Sequence, residues 1–201
     1  MTRLLFICSI FFLFLSCNGN ERRNKYSTTT EKDSIDNTRI EQLKKAYEKR
    51  DYKSFFKLFP NTYYELLNFY GYSDSLGEQP FYSLYEKHIN YLFQHKNSIS
   101  PEIFAEKVYS IAENGLWDAD AVGLFQVNLS QFIIYKPNIF IKILTAKSEK
   151  EVKSFWHFVF DGSSKNDLQN KDKFNEIYKK INSLDERQSL VMKSEFEKMY
   201  K

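Results

Sequence analysis

The chain has 201 residues, 42% of them hydrophobic and 27% charged, enough for one domain with a sizeable core and too few for several. Six glycines and four prolines argue against a collagen-like, low-complexity or turn-dense all-β architecture. A net charge of +3 is too small to announce a nucleic-acid binder.

The first residues fall into three zones. Arg3 is the only charge before Glu21, Leu4 to Leu15 is an apolar run interrupted mildly by Cys8 and Ser9, and the small residue Ser16 precedes Cys17. A positive head, a short apolar segment and a small-residue exit describe a secretory signal peptide. As a helix the apolar run would span about 18 Å, well short of the ~30 Å hydrocarbon core, so a permanent membrane span is not expected.

The tetrapeptide Phe14-Leu15-Ser16-Cys17 resembles the lipobox of bacterial lipoproteins, with Phe14 where that family usually has Leu. The resemblance covers only the leader. It implies a signal peptide over residues 1–16, cleavage before Cys17 and acylation of that cysteine by chains such as palmitate. An ordinary cleaved signal peptide with an incidental cysteine is the alternative. One acyl chain anchors marginally, whereas two or three on one residue hold a protein on a membrane almost permanently. Asn18 stands where an Asp would, by family analogy, favour the inner membrane, so the outer membrane is the expected destination. Both cysteines, Cys8 and Cys17, lie in this region, so the rest of the chain has no disulfide framework, no thiolate metal site and no cysteine nucleophile.

Residues 17–37 are polar, with Tyr26 and Ile35 the only large apolar side chains after the cysteine. Such a segment buries too little surface to offset its ordering entropy, and it reads as a flexible tether with a reach on the order of 25 Å. Arg22, Arg23 and Lys25 could lie on anionic headgroups, although a solvated linker explains them as well.

From residue 38 to residue 201 the pattern is helical throughout. Thr38-Arg-Ile-Glu41 reads as a capping box, and Asp51 caps a short helix with Phe55, Phe56 and Phe59, stopped by Pro60. Thr62-Tyr-Tyr-Glu65 is a second capping box, and Gly71 ends that helix. A polar loop leads through Gly77 and Pro80 to a stripe of Phe81, Leu84, Tyr85, His88, Ile89 and Leu92. Ser100-Pro101 opens a helix that Asn114-Gly115 stops, and Asp118 is the expected cap of the next, through Ile133. Pro137 opens a shorter one, and Ser148-Glu-Lys-Glu151 is a third capping box ahead of Val152, Phe155, Trp156 and Val159. Phe174 to Ile181 and the stretch after Asp185 complete the set. No segment shows two-residue alternation with a hairpin turn. The expectation is an all-α domain of about nine short helices in antiparallel pairs, with an α-hairpin, helical-repeat-like stack as one form it could take.

Chemical signatures are sparse. His88 and His95 stand seven apart, too far for adjacent-turn metal pairing, and His157 is isolated; packed or surface histidines are the expectation. Asp118-Ala-Asp120-Ala-Val122-Gly123 begins like a calcium loop, but Val122 and Leu129 stand where oxygen ligands belong. No phosphate loop, nucleophile elbow or dinucleotide fingerprint occurs, and neither cofactor nor metal is expected. Mixed-sign lysines and glutamates from Lys142 to Lys180 read as a solvated face.

Aromatic content is the oddest feature, with 19 Phe, 14 Tyr and 2 Trp. Phenylalanines track the buried stripes, while the tyrosines leave room for a binding face, for which Tyr63, Tyr64, Tyr70 and Trp117 are the candidates. The sequence thus points to a lipoprotein of the cell envelope, held on the membrane through Cys17. Its helical domain is expected to bind another protein, as an immunity protein or accessory subunit, without catalysis and without nucleic acid. The alternatives are a glycan or peptide binder using exposed Tyr and Trp and, ranked last, a carboxylate-dependent hydrolase.

Overall fold

The structure, a computed structural model, describes residues 37–162 and 168–200. The signal peptide, Cys17 and the tether lie outside the described residues, apart from Asn37. The fold is all-α. The first three helices are α1 (Asn37–Glu48), α2 (Tyr52–Leu58) and α3 (Tyr63–Tyr70). A minimal hairpin, β1 (Tyr72–Ser73) with β2 (Gly77–Glu78), and a 3-10 turn at Tyr82–Leu84 lead into α4 (Tyr85–Gln94). Another 3-10 turn at Lys96–Ser98 precedes α5 (Pro101–Ala112), α6 (Ala121–Tyr135), α7 (Pro137–Thr145) and α8 (Glu149–Phe160). The last two are α9 (Leu168–Asn182) and α10 (Glu186–Tyr200), making ten α-helices among the described residues. None of the described helices is long and apolar enough to cross a membrane.

Local chemistry accounts for most starts. Asp51 accepts the Ser54 N–H at 3.1 Å, Ser100 caps α5 with Pro101 in its first turn, and Asp185 accepts the Gln188 N–H at 3.0 Å. Ser148 and Glu151 form a reciprocal capping box on α8. Three expectations need correction. Helix α1 begins at Asn37, which puts Thr38 inside the first turn rather than at the cap. Thr62 caps α3, but Glu65 does not return the bond; its carboxylate accepts from Asn61 N–H at 2.8 Å and from Arg39 at 2.9 Å. The loop before Pro80 contains a two-stranded ladder, Tyr72 opposite Glu78 and Ser73 opposite Gly77, closed by Gly77 at φ 71° and by Ser73 Oγ accepting from Leu76 N–H.

The core is one continuous cluster. Of the fifteen phenylalanines among the described residues fourteen are buried, against five of thirteen tyrosines, so phenylalanine is the filler and tyrosine is divided between inside and outside. Helix α6 sits centrally, packing against α3, α4, α7, α8 and α9, and its apolar residues run around most of its circumference. Pairs such as α1–α2 and α9–α10 are chain neighbours in contact, but α8 also meets α10 and α5 meets α7. Contacts therefore reach well beyond the nearest-neighbour pattern that defines a repeat stack.

The α5–α6 connection is fitted to this core at Gly115. A β-carbon there would lie 2.4 Å from Phe158 Cδ2 and 3.0 Å from Tyr63 Cδ2, and both rings are buried. Gly115→Ala is therefore expected to lower stability by about 1–3 kcal/mol, the usual cost of overpacking. A urea midpoint equal to wild type would contradict that packing.

Candidate functional site

Helix α3 separates its side chains by the 100° step of an α-helix. Tyr63, Leu66 and Tyr70 turn inward, while Tyr64 stands 62% exposed on the other side. The Tyr63 ring meets Phe158 edge-on at 6.1 Å. The Tyr70 hydroxyl bonds His88 Nδ1 at 3.1 Å, and its ring lies among Phe59, Phe69 and Phe81. Tyr63 and Tyr70 are thus core residues, which corrects their assignment to a binding surface. Tyr64 and Trp117 remain outside, Trp117 with 39% of its surface exposed.

Trp117 belongs to a loop, residues 113–120, that is fixed at several points. The Asn114 N–H donates to Ser154 Oγ at 2.9 Å, and Asn114 takes a left-handed φ of 60° as it ends α5. Gly115 is wedged against Phe158 and Tyr63. The Trp117 N–H donates to Asp161 Oδ2 at 2.7 Å, just past α8, and Gln126 Nε2 ties that same turn down by donating to the Phe158 carbonyl at 2.6 Å. At the far end the Tyr82 hydroxyl donates to Asp120 Oδ2 at 2.8 Å. Asp120 itself has φ 55° and ψ −108°, sparsely populated for a residue with a β-carbon. Helix α6 accordingly starts at Ala121; Asp118, the expected cap, instead accepts the Ala119 N–H.

The loop presents Leu116, 53% exposed, beside Trp117. Tyr63, which packs on Gly115 of this loop, has the ring of exposed Tyr64 at 5.8 Å. Behind this face, Leu67, Gly71, Tyr72, Tyr82 and residues 118–122 enclose a cleft of about 120 Å³. The Asp120 carboxylate, by accepting from Tyr82, pushes that phenol above the usual tyrosine range. Tyr72 and Leu76 on the hairpin add further exposed apolar surface. Sequence reasoning missed Leu116, Leu76 and Tyr82, whereas Tyr72 stood in the Tyr70-Gly-Tyr72 cluster it considered for such a surface. The signal for Leu116 was present, a large apolar residue directly after a helix-stopping Asn-Gly and next to Trp117.

Two other groups have unusual electrostatics and a structural explanation. Lys107 is drawn down to about pH 8 by burial and by nearby Arg39, but its Nζ donates to the Phe59 carbonyl and to Asn61 Oδ1. Arg39 donates to the carbonyls of Leu58 and Phe59 and to Glu65, so the two cations together satisfy the C-terminal end of α2. Burial opposes ionisation of Glu65, yet the bonds from Arg39 and Asn61 outweigh it and hold the carboxyl below its usual range. His88, fully buried, is pushed down to about 4 by burial. His157 bridges helices through Glu195 at 3.3 Å. Among the described residues no three His, Cys, Asp or Glu side chains come together as a metal-holding group. The chain matches no family model, no curated protein and no solved structure.

Proposed function

We propose that this is a lipid-anchored protein of the cell envelope whose helical domain docks a protein partner through the face of Tyr64, Leu116 and Trp117. The observation that carries the docking half is the exposed Leu116-Trp117 pair on a loop tied to α8 and the 3-10 turn. Aromatic anchors held rigidly before binding lose little conformational freedom on association, which is why Trp and Tyr dominate interface energetics. The adjoining cleft, about 120 Å³, is below the roughly 300 Å³ at which small-ligand pockets begin, which favours a protein over a glycan. An immunity protein or an accessory subunit both fit this description. The anchor half rests on Arg3, the apolar run and Phe14-Leu15-Ser16-Cys17.

Each half has its own test. Cys17→Ser is expected to move the protein to the soluble fraction and abolish acyl labelling; unchanged attachment and mass would contradict the anchor. The double variant Tyr64→Ser/Trp117→Ser is expected to keep its unfolding midpoint while losing a stoichiometric partner that wild type retains after cross-linking in intact cells. Equal recovery of that partner by both proteins would place the interface elsewhere.

A further inference from the structure

The charge of this chain is concentrated at one end. Residues 37–58 hold seven Lys and Arg against three Asp and Glu, a net +4 in a chain whose total is +3. Helices α1 and α2 frame a groove of about 470 Å³ there. Gln42, Lys45 and Ala46 occupy one face of α1 with Lys49 just past its end, and Ser54, Lys57 and Leu58 line the groove from α2. The floor is apolar, with Ala46 buried and Leu58 half-buried, while the three lysines are exposed. The carboxylate in the groove belongs to Asp51, and it is engaged as the N-cap of α2, accepting from Ser54. Two lysines among the described residues pair with carboxylates, Lys153 with Glu149 and Lys198 with Glu195, both on other helices. Lys45, Lys49 and Lys57 form no salt bridge among the described residues.

Three exposed ammonium groups, with the Asp51 carboxylate near Lys49 the one opposing charge in the groove lining, stand around an apolar floor and suit a phosphodiester with an apolar neighbour. Position along the chain supplies the second argument. Nineteen residues separate Cys17 from α1, so with Cys17 acylated the start of α1 cannot be farther from the bilayer than about 70 Å of fully extended chain, and the groove opens five residues into that helix. We infer that the α1–α2 groove docks on anionic phospholipid headgroups, laying the helical domain on the membrane that anchors it; this rests on the lipid-anchored reading. A basic residue near an anionic surface strengthens attachment about fivefold, so the three lysines together are worth about a hundredfold. Screening by salt weakens the contact steeply.

The test is lysine acetylation footprinting of the full chain mixed with phosphatidylcholine vesicles, or with vesicles of phosphatidylcholine and phosphatidylglycerol, with flotation measured in parallel. Expected is at least fivefold protection of Lys45, Lys49 and Lys57 on the anionic vesicles alone, reversed by 0.5 M salt, while exposed Lys179, Lys180 and Lys193 react equally in all samples. Equal labelling of the three groove lysines on both vesicles overturns the proposal, including the case in which the groove instead takes an acidic protein segment. Loss of flotation on neutral vesicles would count against the acyl anchor, not against the groove, because protection on anionic vesicles reads the groove independently. The variant Lys45→Gln/Lys49→Gln/Lys57→Gln alters exposed side chains only and is expected to fold normally and to lose the anionic-vesicle component of binding about a hundredfold.

Discussion

Trp156→Ala is expected to destabilise the helical domain by about 3–5 kcal/mol, the range for removing a large aromatic side chain from a core that only partly relaxes. Trp156 is fully buried on α8, meeting Phe155 edge-on at 5.0 Å and stacking on Phe160 at 5.9 Å. Helix α8 contacts α5, α6 and α10, so a cavity at Trp156 loosens the element that joins the middle of the chain to its end. The indole N–H has no hydrogen-bond partner among the described residues. Trp156→Phe therefore discards an unpaired polar group while keeping a ring, and is expected to cost less than half as much. Urea unfolding of the two variants measures both values. A loss below about 1 kcal/mol for the alanine variant would contradict the packing of α8.

The second large effect is a loss of stability in mild acid that depends on His88. Its ring is enclosed by Tyr47 of α1 at 4.4 Å, Phe55 of α2 at 5.4 Å, Tyr70 of α3 at 5.8 Å and Phe81 at 5.1 Å. The Tyr70 hydroxyl satisfies Nδ1, while Nε2 finds no partner among the described residues, so nothing in the cage favours a second proton. Burial lowers the folded-state pKa to about 4 from an ordinary value near 6.5. Between those values the unfolded chain binds a proton that the folded chain refuses. Stability is thus fully present above about pH 6.5 and is lost as pH falls toward 4, by about 3 kcal/mol in total. Burial raises the Tyr70 phenol well above its usual range, so Tyr70 stays neutral across this window. His88→Phe is expected to be less stable at pH 7, because it strands the Tyr70 hydroxyl, yet to lose the slope between pH 6.5 and 4.5. An identical slope in both proteins would assign the acid sensitivity to carboxylates such as Glu65.

Sequence pattern reached the fold class because helix caps are local chemistry. Asp51, Thr62, Ser100, Ser148 and Asp185 each act on an N–H three residues away, within sight of any short window. What escaped was decided by distant partners. Arg39 reaches carbonyls 19 and 20 residues on, and Glu65 is diverted from its capping box by that same guanidinium. The start of α6 was misplaced because Asp120 is engaged by Tyr82 across 38 residues, with a backbone conformation that no local preference suggests. At the candidate site, Tyr64 and Trp117 were legible as aromatics but not their company. Tyr63 differs from Tyr64 by a single helical step, and only the inward stripe of Leu66 and Tyr70 shows which of the two faces the core. Leu116 could be found only from its neighbours, the helix-stopping Asn-Gly before it and Trp117 after it, because loop residues carry no periodicity from which to read burial.

The most direct test of the docking face is site-specific photo-cross-linking in intact cells, with the photoreactive residue at position 117 and, as control, at the exposed position 187 on α10. One discrete protein adduct is expected from position 117, absent from position 187 and abolished by Tyr64→Ser in the same chain. The same adducts from both positions, or an adduct at 117 that survives Tyr64→Ser unchanged, would contradict the docking face.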